Sequence, residues 1–331
     1  GVEADATILM EWRGHADMLH DTVRNELYRK AIERRVAELI AAAAGHGQDP
    51  PSVIDIGTGS GLLACFAASA GAHVHAFECN PKLARLARRV VEDNCLDVTV
   101  HHAHSLMATS AHGAGWSLGG QPIAHASLLT HELLDSGLLS EGLLAATRHA
   151  HDVLLQRPVV SVPESVRFFC QPVRCDFFRN AHRLSDEVVR LLPPPTSVSC
   201  CAGAAGYLEL NVRPLLDTGS CVTLGEPVEL LHLDLSVRPP EGAQHAPSKH
   251  LSLSLEQLRP GEGPDALITW WDCSLHPEVP ILSTSPHRDS HGVEREHWMN
   301  AIFPIAAHAP ADPAPADPAP ADPAPADPAP A

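Results

Sequence analysis

The strictest constraint on the fold is an alternation of strand-like and helix-like segments between residues 53 and 129. Val53-Ile54-Asp55-Ile56 reads as a buried strand, and Leu62 to Ala70 as the helix that follows. Val74 to Phe77 is a second strand, and Pro81 to Glu92 a helix with proline in its first turn. Val98 to His102 and Ala126 to Leu129 complete the set. Strands alternating with helices predict an α/β fold built on a parallel sheet. Upstream, Met10 to Ala44 has helical periodicity. Asp21 is its candidate cap, and Leu27, Ala31, Val36 and Leu39-Ile40 form an apolar stripe that ends at Gly45 to Pro51.

After about Pro158 the texture changes. Short β-like runs at Ser165–Gln171, Val228–Leu235, Leu251–Leu255 and Asp265–Leu275 are separated by Pro and Gly, which predicts a mostly antiparallel β domain. Residues 175–192 read as a helical arm inserted into it. The expected division is a helical segment over 1–50, the α/β domain over 51–157 and the β domain over 158–305. A Pro/Ala/Asp repeat over 306–331 cannot bury apolar area, so a disordered or polyproline-like tail is expected there.

Composition narrows the partners. With 44% hydrophobic residues the 331-residue chain can build a sizeable core. Its formal net charge of -17 argues against direct nucleic-acid binding and suits basic proteins or peptides, although acidic surfaces also occur without such partners. The nine cysteines include no Cys-x-x-Cys pair, which predicts a reducing compartment and no zinc ribbon. His101, His102 and His104 alternate along a strand, so no metal site is expected. No apolar run of about 20 residues predicts a membrane span, and no secretory signal is evident. The chain begins with Gly rather than Met, so a missing native N-terminus is an open reading.

Two stretches carry chemistry. Gly57-Thr-Gly-Ser-Gly61 follows a strand and opens a helix, so the backbone can approach a ligand closely; a purely structural turn is the alternative. Leu62 stands where a dinucleotide fingerprint needs its third spacing, so a pyrophosphate ligand is not indicated. Glu78 ends the second strand, 23 positions after Asp55, where a carboxylate accepts from ribose hydroxyls; a surface glutamate is the alternative. His104-Ser105 ends the third strand near an expected adenine, or is an ordinary polar loop. The second stretch runs from Glu132 to Glu141, whose carboxylates are nine positions apart. A hairpin-like loop could bring them together on one planar guanidinium, a permanently charged group with five donors. Two solvated loop glutamates are the alternative.

The motifs together resemble the protein arginine methyltransferase family, from about residue 11 to 305. Gly14-His-Ala-Asp-Met-Leu-His-Asp-Thr-Val-Arg-Asn25 resembles its N-terminal helix motif, and Asp55-Ile-Gly-Thr-Gly its first class I S-adenosylmethionine motif. Glu132-Leu-Leu-Asp-Ser-Gly-Leu-Leu-Ser-Glu141 is similar to its double-glutamate loop. Trp270-Trp271-Asp272 and Glu296-His297-Trp298-Met299-Asn300 resemble its barrel strand and His-Trp loop, with Glu296 where Thr is usual. The resemblance implies a Rossmann-like domain followed by a β-barrel-like domain, with the N-terminal helix closing over S-adenosyl-L-methionine. It implies cofactor contacts from Met18, Arg24, Asp55, Gly57, Gly59, Glu78, His104 and Ser105. It implies catalysis by Glu132 and Glu141, and substrate contacts from Asp135, His297 and Trp298. Monomethylation of Arg-rich proteins such as histones or RNA-binding proteins follows as an expectation, with a homodimer or pseudo-dimer in the cytoplasm and nucleus. Ile302 to Ile305 runs almost directly into the repeat, so a single, C-terminally shortened module is expected. A non-catalytic scaffold that docks Arg-rich partners is then the alternative.

Overall fold

A computed structural model describes residues 16–43, 49–111, 115–181, 186–191, 207–240, 263–287 and 298–305. The expected strand Leu251–Leu255 and the repeat after 305 lie outside these residues. Helix α1 (Thr22–Ala43) follows a short helical turn over 16–20. The break is Asp21, whose Oδ1 accepts from Arg24 N at 2.8 Å, satisfying one of the helix's open donors. The α1 face of Leu27, Tyr28, Ala31, Ile32 and Val36 is buried. The α/β elements follow as β1 (Ser52–Ile56), α2 (Leu62–Ser69), β2 (His73–Glu78), α3 (Pro81–Asp93), β3 (Val98–His102), β4 (Ala126–His131), α4 (Leu143–His149) and β5 (Leu155–Val162). At α3, Asn80 accepts from Lys82 N and Leu83 N while Pro81 occupies the first turn.

These strands form a five-stranded parallel sheet in the order β3-β2-β1-β4-β5. Strand order reverses between β1 and β4, so the crevice that such sheets use for ligands opens beyond their carboxyl ends. The Gly57 turn, Glu78 and Glu132 all stand at that edge. The fifth strand escaped the sequence reading, and the expected boundary at 157/158 falls inside it. Pro158 discourages a strand assignment. It is tolerated because β5 is an edge strand whose register with β4 shifts between Ala126 and Leu128.

The β domain comprises β6 (Ser165–Cys175), β7 (Leu208–Leu210), β8 (Cys221–Thr223), β9 (Val228–Asp234), β10 (Ala266–Ser274), β11 (Leu282–Ser283) and β12 (Asn300–Pro304). They form one antiparallel sheet with the path β8-β6-β10-β12-β7, β9 pairing with β6 and β11 with β10. Two short helices, α5 (Asp176–Ala181) and α6 (Asp186–Leu191), fall where an arm was expected. One hydrophobic core joins the halves. It contains Tyr28 and Ile32 of α1, Val53 and Leu128 of the parallel sheet, Leu134 and Leu138 of the loop after β4, and Trp271 and Trp298 of the β domain. Loop 132–141 is therefore built into the joint between the sheets.

Candidate functional site

At the end of β1 the chain turns under Gly57 and Gly59, with φ of 72° and 56°, the left-handed region that favours glycine. A Cβ on Gly57 would also stand 3.0 Å from Leu133 Cδ2. Glu78 fixes the turn: its Oε2 accepts from Gly59 N at 2.8 Å and its Oε1 from Asn80 N at 2.7 Å. A carboxylate has about four acceptor positions, so each oxygen keeps capacity for a further donor. Asp55 is fully buried, and its Oδ1 accepts from Thr130 Oγ1 at 2.8 Å. Burial raises its pKa to about 6, against hydrogen bonds that lower it.

A cleft opens beside this turn, lined by Gly57, Phe77, Cys79, His104, Ser105 and Glu141, among others. Ser105 is buried, and its hydroxyl has no hydrogen-bond partner. His104 Nδ1 accepts from Leu106 N at 3.2 Å, which orders the turn that presents Ser105. Phe77 and Cys79 flank Glu78 in sequence and were missed in the sequence reading; their adjacency to a strand-end acid is the signal that pointed to them.

The second half of the site is an ion pair. Arg24 Nη2 donates to Glu132 Oε2 at 2.8 Å, with side chains 3% and 10% exposed. The Arg24 guanidinium also lies 5.7 Å from the Trp298 ring centroid and 5.2 Å from that of Tyr28. Among the described residues, Arg24 Nε and Glu132 Oε1 are both buried without a hydrogen-bond partner. Burial raises the Glu132 pKa, and Arg24 opposes the rise. Part of Glu141 is exposed. Its carboxyl is nonetheless partly withdrawn from water, and this, then the charges of Glu132, Asp135 and Glu209, push its pKa to about 7. All three like charges act in that direction.

The loop between the glutamates is pinned from the β domain. Trp298 Nε1 donates to Leu134 O at 2.9 Å, and Trp271 Nε1 to Asp135 O at 3.0 Å. The two indoles meet edge-to-face with centroids 4.7 Å apart. Asp135 was expected at the substrate. In this structure its Oδ1 accepts from Ser140 N at 3.2 Å and its Oδ2 from Tyr207 Oη at 2.7 Å, so both oxygens hold protein groups. Met18 is half-buried in the turn before α1, where its carbonyl accepts from Asp21 N at 3.3 Å. His297 lies outside the described residues.

An adenosyl group with an amino-acid tail fits these residues. The unpartnered Ser105 hydroxyl and the spare acceptor capacity of Glu78 suit the nucleoside, and Arg24 Nε awaits an acceptor at the charged end.

No protein-family model matches the chain. Over 303 residues it is 29% identical to protein arginine N-methyltransferase 7 of Danio rerio, covering 88% of this chain and 42% of that protein. Over 315 residues it is 30% identical to the Aedes aegypti protein of the same name, covering 87% and 43%. The chain thus spans less than half the length of these curated relatives. Among solved structures, protein arginine methyltransferase 10 of Arabidopsis thaliana, described as uniquely open, superposes with a TM-score of 0.60 at 20% identity, covering 88% of this chain and 82% of that one. PRMT6 with SAH gives 0.58 at 22%, covering 88% and 87%. In sequence over nearly nine-tenths of its length, and in fold, the chain is similar to the protein arginine methyltransferases.

Proposed function

We propose that the chain transfers a methyl group from S-adenosyl-L-methionine to the guanidinium of arginine in Arg-rich proteins, and that it stops at monomethylation. The observation that carries this reading is the buried Arg24–Glu132 pair at the carboxyl edge of the sheet, left among the described residues with one open donor and one open acceptor. A buried ion pair with unused hydrogen-bonding atoms is costly unless a ligand completes it. Arg24 Nε suits the cofactor carboxylate, and Glu132 Oε1 suits a cationic substrate.

When bound, the cofactor supplies an electrophilic methyl group. Glu78 would accept from the ribose hydroxyls, and Ser105 would meet the adenine. Glu132 and Glu141 hold the guanidinium from two sides, fix its plane and draw its positive charge toward the nitrogens they bind. The third nitrogen keeps more electron density for attack. No base would be required beforehand: as the N–C bond forms the methyl–sulfur bond breaks, S-adenosylhomocysteine is the leaving group, and the extra proton is lost to solvent afterwards. The relatives' names and the solved PRMT6 structure with SAH support this reading.

Glu78→Ala should weaken S-adenosylhomocysteine binding by about 1.5–3 kcal/mol, the scale of lost charge-assisted hydrogen bonds. Calorimetry checks this, and equal affinity in variant and parent would remove Glu78 from the site. Tighter binding of NAD than of S-adenosylhomocysteine would overturn the cofactor class.

The pH profile offers a second check. The Glu141 pKa in the free protein is raised from 4.5 to about 7, so below that pH the carboxyl is increasingly neutral and cannot pair with a guanidinium. The value of kcat/KM should therefore fall as pH drops below about 7. Asp55, at about 6, titrates nearby. Exposed Glu209 separates the two, because its charge raises the Glu141 pKa. Glu209→Gln should move the acid limb to lower pH, whereas an unmoved limb would assign it to another group.

A further inference from the structure

We propose that Tyr207 is a positioning residue for the double-glutamate loop, fixing Glu141 through Asp135 and Ser140 without touching substrate. The inference rests on the arginine-transfer reading above and adds a residue that neither the motifs nor the sequence pattern singled out. Tyr207 immediately precedes β7 and so belongs to the β domain. Its hydroxyl donates to Asp135 Oδ2 at 2.7 Å and stands 3.4 Å from Ser140 Oγ, one residue before Glu141.

The ring is held as firmly as the hydroxyl. It lies directly against Gly137, where an added Cβ would be 2.8 Å from Tyr207 Cε1 and 2.9 Å from both Cζ and Oη. No side chain fits at 137 while the ring stays in place. The ring also meets Phe303 of β12, with centroids 5.4 Å apart at 48°. Tyr207 is thus wedged between a β-domain strand and the middle of the loop.

The two indole bonds fix the early loop at Leu134 and Asp135. Leu138, buried in the shared core, carries the chain further through its amide bond to Asp135 O at 2.9 Å, and neither this bond nor the indole bonds reach the residues next to Glu141. Asp135 closes the half leading to Glu141 by accepting from Ser140 N, and Tyr207 holds the Asp135 carboxylate in the required orientation. A phenol donating to a carboxylate is a short, charge-assisted bond with strong directionality. Burial and the Asp135 charge raise the Tyr207 pKa, so the phenol stays a donor through the neutral range. The same bond offsets part of the Asp135 charge, which is one of the three that raise the Glu141 pKa.

The test uses Tyr207→Phe, which keeps the ring and removes the donor. Gly137→Ala, which displaces the ring, is the second variant. In Tyr207→Phe, kcat toward an arginine peptide should fall about tenfold, while S-adenosylhomocysteine affinity stays within about twofold. The acid limb of kcat/KM should move to higher pH, because Asp135 then acts on Glu141 with its full charge. A merely structural tyrosine would not move that limb. The Ser140 amide should exchange hydrogen faster in both variants. Unchanged kcat with an unmoved limb overturns the proposal, as does a loss of cofactor affinity that parallels the loss of kcat. If the parent transfers no methyl group, the functional reading fails separately. Amide exchange then still decides: faster exchange at Ser140 in Tyr207→Phe upholds the latch, and unchanged exchange overturns it.

Discussion

Glu141→Gln is expected to lower methyl transfer by about 10²–10³, the scale of losing one preorganised electrostatic group. Shape is kept and charge removed, so the guanidinium loses one of two carboxylates that set its plane. S-Adenosylhomocysteine affinity should change far less than turnover, because the proposed partner of Glu141 is the substrate guanidinium, although Glu141 also lines the cleft of Gly57 and Ser105. Glu132→Gln should lose turnover on the same scale but is a less clean probe. It leaves Arg24, only 3% exposed, without its ionic partner, and breaking a buried pair from one side is costly. A lower stability and an altered cofactor affinity should therefore accompany it. The double variant should turn over little more slowly than either single one, since groups acting as a unit are not additive. Radiolabelled transfer to an Arg-Gly-rich peptide, with unfolding and cofactor binding in parallel, reads all three. Parental turnover in Glu141→Gln would leave it an ordinary loop glutamate.

Trp271→Ala should destabilise the folded chain by about 3–5 kcal/mol, the usual cost of emptying a large aromatic site in a core. Trp271 is fully buried in the core shared by α1, the parallel sheet and the β domain. Its loss removes the edge-to-face contact with Trp298 and the bond to Asp135 O, which still accepts from Leu138 N at 2.9 Å. Trp271→Phe retains part of the packing and should cost less. Denaturant unfolding measures both. A loss below about 1 kcal/mol for Trp271→Ala would mean that the two sheets do not share one core.

The order of the first four strands and their helices was legible because apolar runs, Pro81 and the Gly57 turn are local signals. Glu78 was legible for the same reason, as a strand-end acid. β5 was not, because Pro158 contradicts a strand unless its edge position is known. The Arg24–Glu132 bond spans 108 positions, and no periodicity in either segment announces it. Resemblance placed Arg24 and Glu132 on different ligands, and only the fold joined them. Asp135 entered as a substrate contact through the resemblance alone. Its partners in the fold, Ser140 and Tyr207, come from the loop itself and from the residue just before β7, 72 positions away. Tyr207 itself precedes a three-residue strand, too short to leave a pattern.

The most direct measurement is transfer of labelled methyl from S-adenosyl-L-methionine to an Arg-rich peptide and to the same peptide with every arginine replaced by lysine. The proposed function predicts label on the arginine peptide only, as monomethylarginine, with competition by S-adenosylhomocysteine. Label on lysine, or no transfer by a folded chain that binds S-adenosylhomocysteine normally, would contradict it.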